Sequence, residues 1–180
     1  MARKILWTAA LCAALLFGAS PVVFADSSWL TGTTGEKLDK LADIQPGLGT
    51  IMIEYGNRFG NTYYAAKAKN WGMAAYQLKE MVEIQEVGET TRPKRVELLK
   101  KFEDANLKPL ANDIVGQDWV TFQKDFDKAT KSCNACHAGT GFAFVQYALP
   151  SIPAAPAKME TTLTFTKTQL GDLLSALVGK

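Results

Sequence analysis

Helical periodicity repeated four times, short turns between the repeats and almost no strand-like alternation predict an all-α protein, an antiparallel four-helix bundle. The chain has 180 residues, enough for one domain with its own core. The segments that build this expectation follow in chain order.

Residues 1–25 read as a signal peptide. "MARK" supplies a basic start, "ILWTAALCAALLFGA" an apolar run, and "VFA" at Val23–Ala25 small residues before Asp26. Cys12 lies inside this run and leaves with it. An exported, periplasmic protein is therefore expected. Removing Arg3 and Lys4 lowers Lys plus Arg from 20 to 18 against 18 Asp plus Glu. A formally neutral chain lacks the positive excess that nucleic-acid binding needs. No later apolar run is long enough to span a bilayer, so the mature chain is expected not to be membrane-spanning.

Residues 26–45, Thr/Gly-rich at first, read as a flexible N-terminal lead-in with one short helical piece near 37–44. The first bundle helix is expected over 46–69. Pro46 suits a first turn, and Leu48, Met52, Tyr55, Phe59, Tyr63 and Ala66 trace one apolar face. "KNWG" breaks it. The second helix is expected over 71–86, with Trp71, Ala75, Leu78, Met81 or Val82 and Gln85 on one side and Gly88 as its C-terminal cap. The third should occupy 93–115, with Leu99, Phe102, Leu110 and Ile114 inward, kinked or split at Pro109. Asp118 can cap the fourth. There Trp119, Phe122, Phe126, Ala129, Cys133 and Cys136 are spaced 3, 4, 3, 4 and 3, an apolar seam that ends in two cysteines, and Gly139 and Gly141 stop the helix. The bundle domain thus covers 46–148. Residues 149–180 read as a flexible Pro/Ala-rich C-terminal tail, with a short helix near 169–178 as its one ordered candidate.

The seam ends in "CNACH". Cys133, Cys136 and His137, the chain's sole histidine, share one helix face. A disulfide between cysteines three apart closes too small a loop to stabilise much. A zinc site wants four ligands, usually two separated pairs, and the mature chain has no second pair. A thioredoxin-like redox pair expects a βαβ setting. Plain core packing is the bland alternative. C-x-x-C-H is the attachment signal of c-type haem: each thiol adds to a haem vinyl group, and the next residue, His137, ligates the iron. One covalently bound haem c is the expected cofactor.

One C-x-x-C-H on the last helix of a four-helix bundle resembles cytochrome c prime and its low-spin relatives, over about residues 46–148. "IEYGNRF" and "AAYQLKEM" also resemble stretches of small exported c-type haem proteins. The resemblance implies that Cys133 and Cys136 carry the thioethers and that His137 is the proximal iron ligand. It allows a homodimer through the first two helices. Members of that family commonly carry a basic residue soon after the motif histidine; "CHAGTGF" has none.

With no other histidine, a methionine is the natural sixth ligand. The mature chain offers Met52, Met73, Met81 and Met159. Antiparallel topology puts the start of the first helix and the end of the second beside the motif. That favours Met52, which also matches the family's distal position, and then Met81. Tyr55 and Phe59 follow Met52 by one and two turns as candidate haem-pocket residues, with ordinary core packing the rival reading. Arg58 and Lys67 are candidate partners for the haem propionates, with solvated surface charge as their bland reading. A histidine committed to iron excludes a Ser-His or Cys-His nucleophile pair. The expected function is one-electron transfer with redox partner proteins in the periplasm, not catalysis. Two alternatives stay open: a gas-binding haem protein with an open distal site, and a haem subunit of a larger complex docked by the tail.

Overall fold

The computed structural model describes residues 29–154, 159 and 163–179, and every regular element among them is helical. The signal-peptide reading and Cys12 lie outside them. The described residues divide between Ile44 and Gln45 into two units.

The first unit holds α1, Thr34–Asp43. "TTGE" forms a capping box. The Thr33 hydroxyl accepts from Glu36 N–H at 3.3 Å, and the Glu36 carboxylate accepts from Thr33 N–H at 2.7 Å. The lead-in therefore carries a capped helix longer than the expected piece. None of its residues is buried.

The second unit holds α2 (Leu48–Lys67), α3 (Trp71–Thr91), α4 (Val96–Phe102), α5 (Lys108–Gly116), α6 (Trp119–Gly139), α7 (Lys167–Leu173) and α8 (Ser175–Val178). α2 packs on α3, α3 on α5, α5 on α6, and α6 back on α2. Between α2 and α3 the chain reverses through Lys69, which takes a positive φ of 61°. Asn70 then caps α3 by accepting from Met73 N–H at 3.1 Å.

Gly88 does not end α3, contrary to the sequence expectation. It is buried inside the helix, and a Cβ there would meet Leu48 Cδ1 at 3.1 Å and Ile51 Cγ2 at 3.5 Å. The glycine serves close approach of α2 to α3, so the helix runs on to Thr91. After a 3-10 turn, Pro93–Arg95, the expected split near Pro109 takes the form of a π-helical turn, Glu103–Leu107, between α4 and α5. Proline has no N–H for the carbonyl four residues back. That carbonyl, on Ala105, accepts from Lys128 Nζ on α6 at 3.2 Å.

α6 starts as its sequence suggests: Asp118 accepts from Val120 N–H and Thr121 N–H at 3.0 and 3.1 Å. Its seam buries Phe122, Phe126 and Ala129. Phe126 stacks on Phe59 of α2 with centroids 4.1 Å apart, and Tyr63 packs on both Phe126 and Trp119.

Within the C-terminal tail, the short helix expected near 169–178 is present as α7 and α8. Thr166 and Gln169 form a second capping box for α7, and Leu170, Leu174 and Leu177 join the core against α3 and α5. Phe165 lies over Gly72 so closely that a Cβ there would stand 2.2 Å from its ring. A leucine every three or four residues supplies the apolar stripe that holds this segment down. Among the described residues no helix is long and apolar enough to cross a membrane.

Candidate functional site

The seam of α6 leaves the core at its last two turns. Beyond Ala129 its inward positions are Cys133 and Cys136, both half-buried reduced thiols. They open, with half-buried His137, onto a cleft of about 430 Å³. That volume is within the ordinary range for small-molecule and cofactor sites. The lining is mostly apolar. α2 contributes Met52, Tyr55 and Phe59 to it, and α4 contributes Leu99 and Phe102. Phe59 is at once a cleft wall and a core ring, only 1% exposed and stacked on Phe126.

The fourth wall comes from residues 142–149, which turn back after α6. Gly141, at φ 91°, makes the turn, and Phe142 N–H donates to the His137 carbonyl at 2.8 Å. The chain then presents the Val145 carbonyl 2.8 Å from His137 Nδ1. A carbonyl can only accept, so Nδ1 carries a proton; in the neutral imidazole Nε2 is then the nitrogen with the lone pair. The Tyr147 ring lies over Gly56 and Gly60 of α2, where a Cβ would stand 3.6 Å from the ring and 3.2 Å from its hydroxyl. Further on, Tyr64 Oη donates to the Pro150 carbonyl at 2.5 Å, and Ala154 N–H donates to Asn61 Oδ1 at 2.9 Å.

Electrostatics separate the candidates. Burial, and then the neighbouring Cys136, pushes the Cys133 thiol up to about 12, so it stays protonated at neutral pH. A reactive redox cysteine has the opposite environment. Tyr55 is raised well above the ordinary phenol value, chiefly by burial and then by the cysteines and Glu103. Its hydroxyl donates to Gln85 Oε1 at 3.1 Å. Gln85 Nε2 donates to Glu89 and Glu103, each at 2.9 Å, and Lys100 pairs with both carboxylates at 3.1 and 3.3 Å. Tyr55 thus shows its ring to the cleft while its proton is committed elsewhere.

Of the four candidate methionines, only Met52 lines the cleft. Met81 is fully buried in the core beside Leu78 and Val82, and Met159 is 4% exposed there. Met73 is half-buried and accepts from Gln77 Nε2 through its sulfur at 3.4 Å. Arg58 is engaged by Glu54 at 2.7 Å and by Gln77 at 3.2 Å; Lys67 is exposed. Neither lines the cleft, whereas Arg95 does. Among the described residues Arg95 makes no ion pair. Sequence reasoning missed Arg95, Val145 and Tyr147. Arg95 reads as one more charge in "RPKR", and a backbone carbonyl leaves no mark in a sequence.

Among the described residues no group of three or more His, Cys, Asp or Glu side chains is arranged to hold a metal ion. A zinc ion would find the two thiols and His137 without a fourth partner. A porphyrin-borne metal asks less of the chain: one or two axial ligands, an apolar slot and thiols at its rim. Cys133, Cys136, His137, Met52 and the apolar walls fit that requirement. Compared with known protein families, curated proteins and solved structures, the chain matches none.

Proposed function

We propose that the chain is an exported monohaem c-type cytochrome that carries single electrons between redox partner proteins in the periplasm. On this reading α2, α3, the α4–α5 pair and α6 form an antiparallel four-helix bundle whose cleft would hold one haem. One observation carries the proposal. Both thiols of the C-x-x-C-H motif, its histidine and Met52 line the same mostly apolar cleft.

The haem, when bound, supplies an iron that cycles between Fe(II) and Fe(III). The chain's residues supply the rest. Cys133 and Cys136 would hold the group covalently, each S–H adding across a vinyl group so that sulfur takes one carbon and hydrogen the other. His137 offers Nε2 to the metal because Val145 occupies the other ring nitrogen. Met52 offers a thioether sulfur, a ligand type that raises the potential. Leu99, Phe102 and Phe59 line the cleft and would keep water from the ring, and Arg95, which also lines it, could pair with a propionate carboxylate. The engagement of Tyr55 by Gln85 leaves no acid-base group from α2 in the cleft, which favours electron transfer over peroxide chemistry.

A visible spectrum of the purified protein, with and without CO, tests this. Electron transfer predicts a low-spin ferrous spectrum unchanged by CO and a ferric methionine-to-iron charge-transfer band. A high-spin ferrous form that takes up CO at once would overturn it in favour of gas binding.

A further inference from the structure

We propose that Asn134, the first variable residue inside the C-x-x-C-H motif, is a positioning residue for His137, acting through the segment 142–149. The inference rests on the haem reading above and deepens it.

Asn134 Oδ1 accepts from Tyr147 N–H at 2.7 Å, and Asn134 Nδ2 donates to the Tyr147 carbonyl at 3.1 Å. One side chain thus takes both backbone polar groups of one residue, as a neighbouring strand would. Two bonds in one plane fix Tyr147 against sliding and against rotation. Val145 is two residues away, within about 7 Å of chain. On its other side, Phe142 N–H is tied to the His137 carbonyl. The Val145 carbonyl is therefore held between two anchors, both on α6, the helix that carries His137. The other contacts of the segment, Tyr147 over Gly56 and Gly60 and Pro150 on Tyr64, tie it to α2 instead. They hold it near the bundle but do not set its register on α6.

The residue type suits the task. Asparagine offers a donor and an acceptor on one short, planar group. Aspartate has no donor for the Tyr147 carbonyl, serine has too short a reach for both, and alanine has neither group. A firm Nδ1–H···O bond makes the imidazole a stronger donor to iron and favours Fe(III). Loosening it favours Fe(II) and moves the potential to more positive values.

The test compares the unmodified haem protein with Asn134→Ala and Asn134→Asp. Three quantities are read: covalent haem content by pyridine haemochrome, hydrogen exchange of the His137 Nδ1 proton and the Tyr147 amide by NMR, and midpoint potential. Asn134→Ala should keep full covalent haem, exchange both protons at least tenfold faster, and shift to a more positive potential. Asn134→Asp keeps the acceptor for Tyr147 N–H and nearly the same volume, so it carries the test if the alanine variant does not fold. It should speed exchange at His137, and only exchange is compared, because its added charge alters the potential by itself. Unchanged exchange and potential in folded, haem-loaded Asn134→Ala would overturn the proposal. Absence of covalent haem from the unmodified chain would instead overturn the haem reading, and exchange rates on that chain would still decide whether Asn134 clamps the segment.

Discussion

His137 Nδ1 and the Val145 carbonyl oxygen stand 2.8 Å apart, the one contact that sets which imidazole nitrogen is free. It makes a histidine near the end of a helix a directed ligand, with Nε2 available to the cleft that Met52 shares. On the haem proposal, the proximal side would be defined by backbone and the distal side by one flexible side chain.

Met52 and Met81 should separate cleanly. Met52→Ala removes a half-buried cleft residue, so the charge-transfer band should disappear and CO should bind, with a stability loss below about 2 kcal/mol. Met81→Ala empties a fully buried core position, so it should cost about 2–5 kcal/mol and leave the visible spectrum as it was. Spectra and denaturant melts of the two variants check this. A spectrum lost in Met81→Ala and kept in Met52→Ala would exchange their roles.

The hydrogen bond from Tyr55 to Gln85 predicts a purely structural loss. Tyr55→Phe keeps the ring in the cleft but leaves Gln85 Oε1, in a fully buried residue, without its donor. The expected cost is about 1–3 kcal/mol, read as a lower unfolding midpoint with unchanged spin state.

Asp113 gives the fold a pH dependence. The residue is 9% exposed, one carboxyl oxygen has no hydrogen-bond partner, and Asp125 and Asp118 stand nearby. Burial first, then those two charges, raises it from 3.8 to about 6. Across that interval the folded chain holds more protons at this site than the unfolded chain, so its contribution to stability falls as pH rises and levels off above about 6. Asp113→Asn should therefore be more stable than the parent at pH 7 and lose that advantage toward pH 4. Thermal melts of both proteins across pH 4–8 test the sign.

The C-terminal segment should behave as core. Leu174→Ala removes a side chain 1% exposed and should lower stability by about 2–5 kcal/mol, whereas a free tail would show no change in melting temperature.

Much of this arrangement is legible from spacing. The α6 seam points from Trp119 to Cys136 at steps of three and four, and the structure buries Phe122, Phe126 and Ala129 along it. Asp118 reads as a cap and is one. Gly88 misleads because a glycine that ends a helix and one that admits a neighbour look alike; only Leu48 and Ile51, forty and thirty-seven residues earlier, distinguish them. The short helix offered near 169–178 is present as α7 and α8, and the Thr166–Gln169 box and the leucines behind it account for its place in the core. At the site, the motif names the thiols and the imidazole, and topology brings Met52 to them. The Val145 carbonyl lay beyond reach because its position depends on a segment that folds back on α6.

The central claim is that Cys133 and Cys136 hold a haem covalently. The direct measurement is the mass of the purified, periplasm-expressed protein after denaturation and acid-acetone extraction, with a pyridine haemochrome spectrum of the same sample. The account predicts that one haem stays with the chain as an added mass and that neither thiol reacts with a thiol reagent. Haem that extracts fully, or a chain of apoprotein mass with two free thiols after expression with the haem-attachment machinery present, would contradict it.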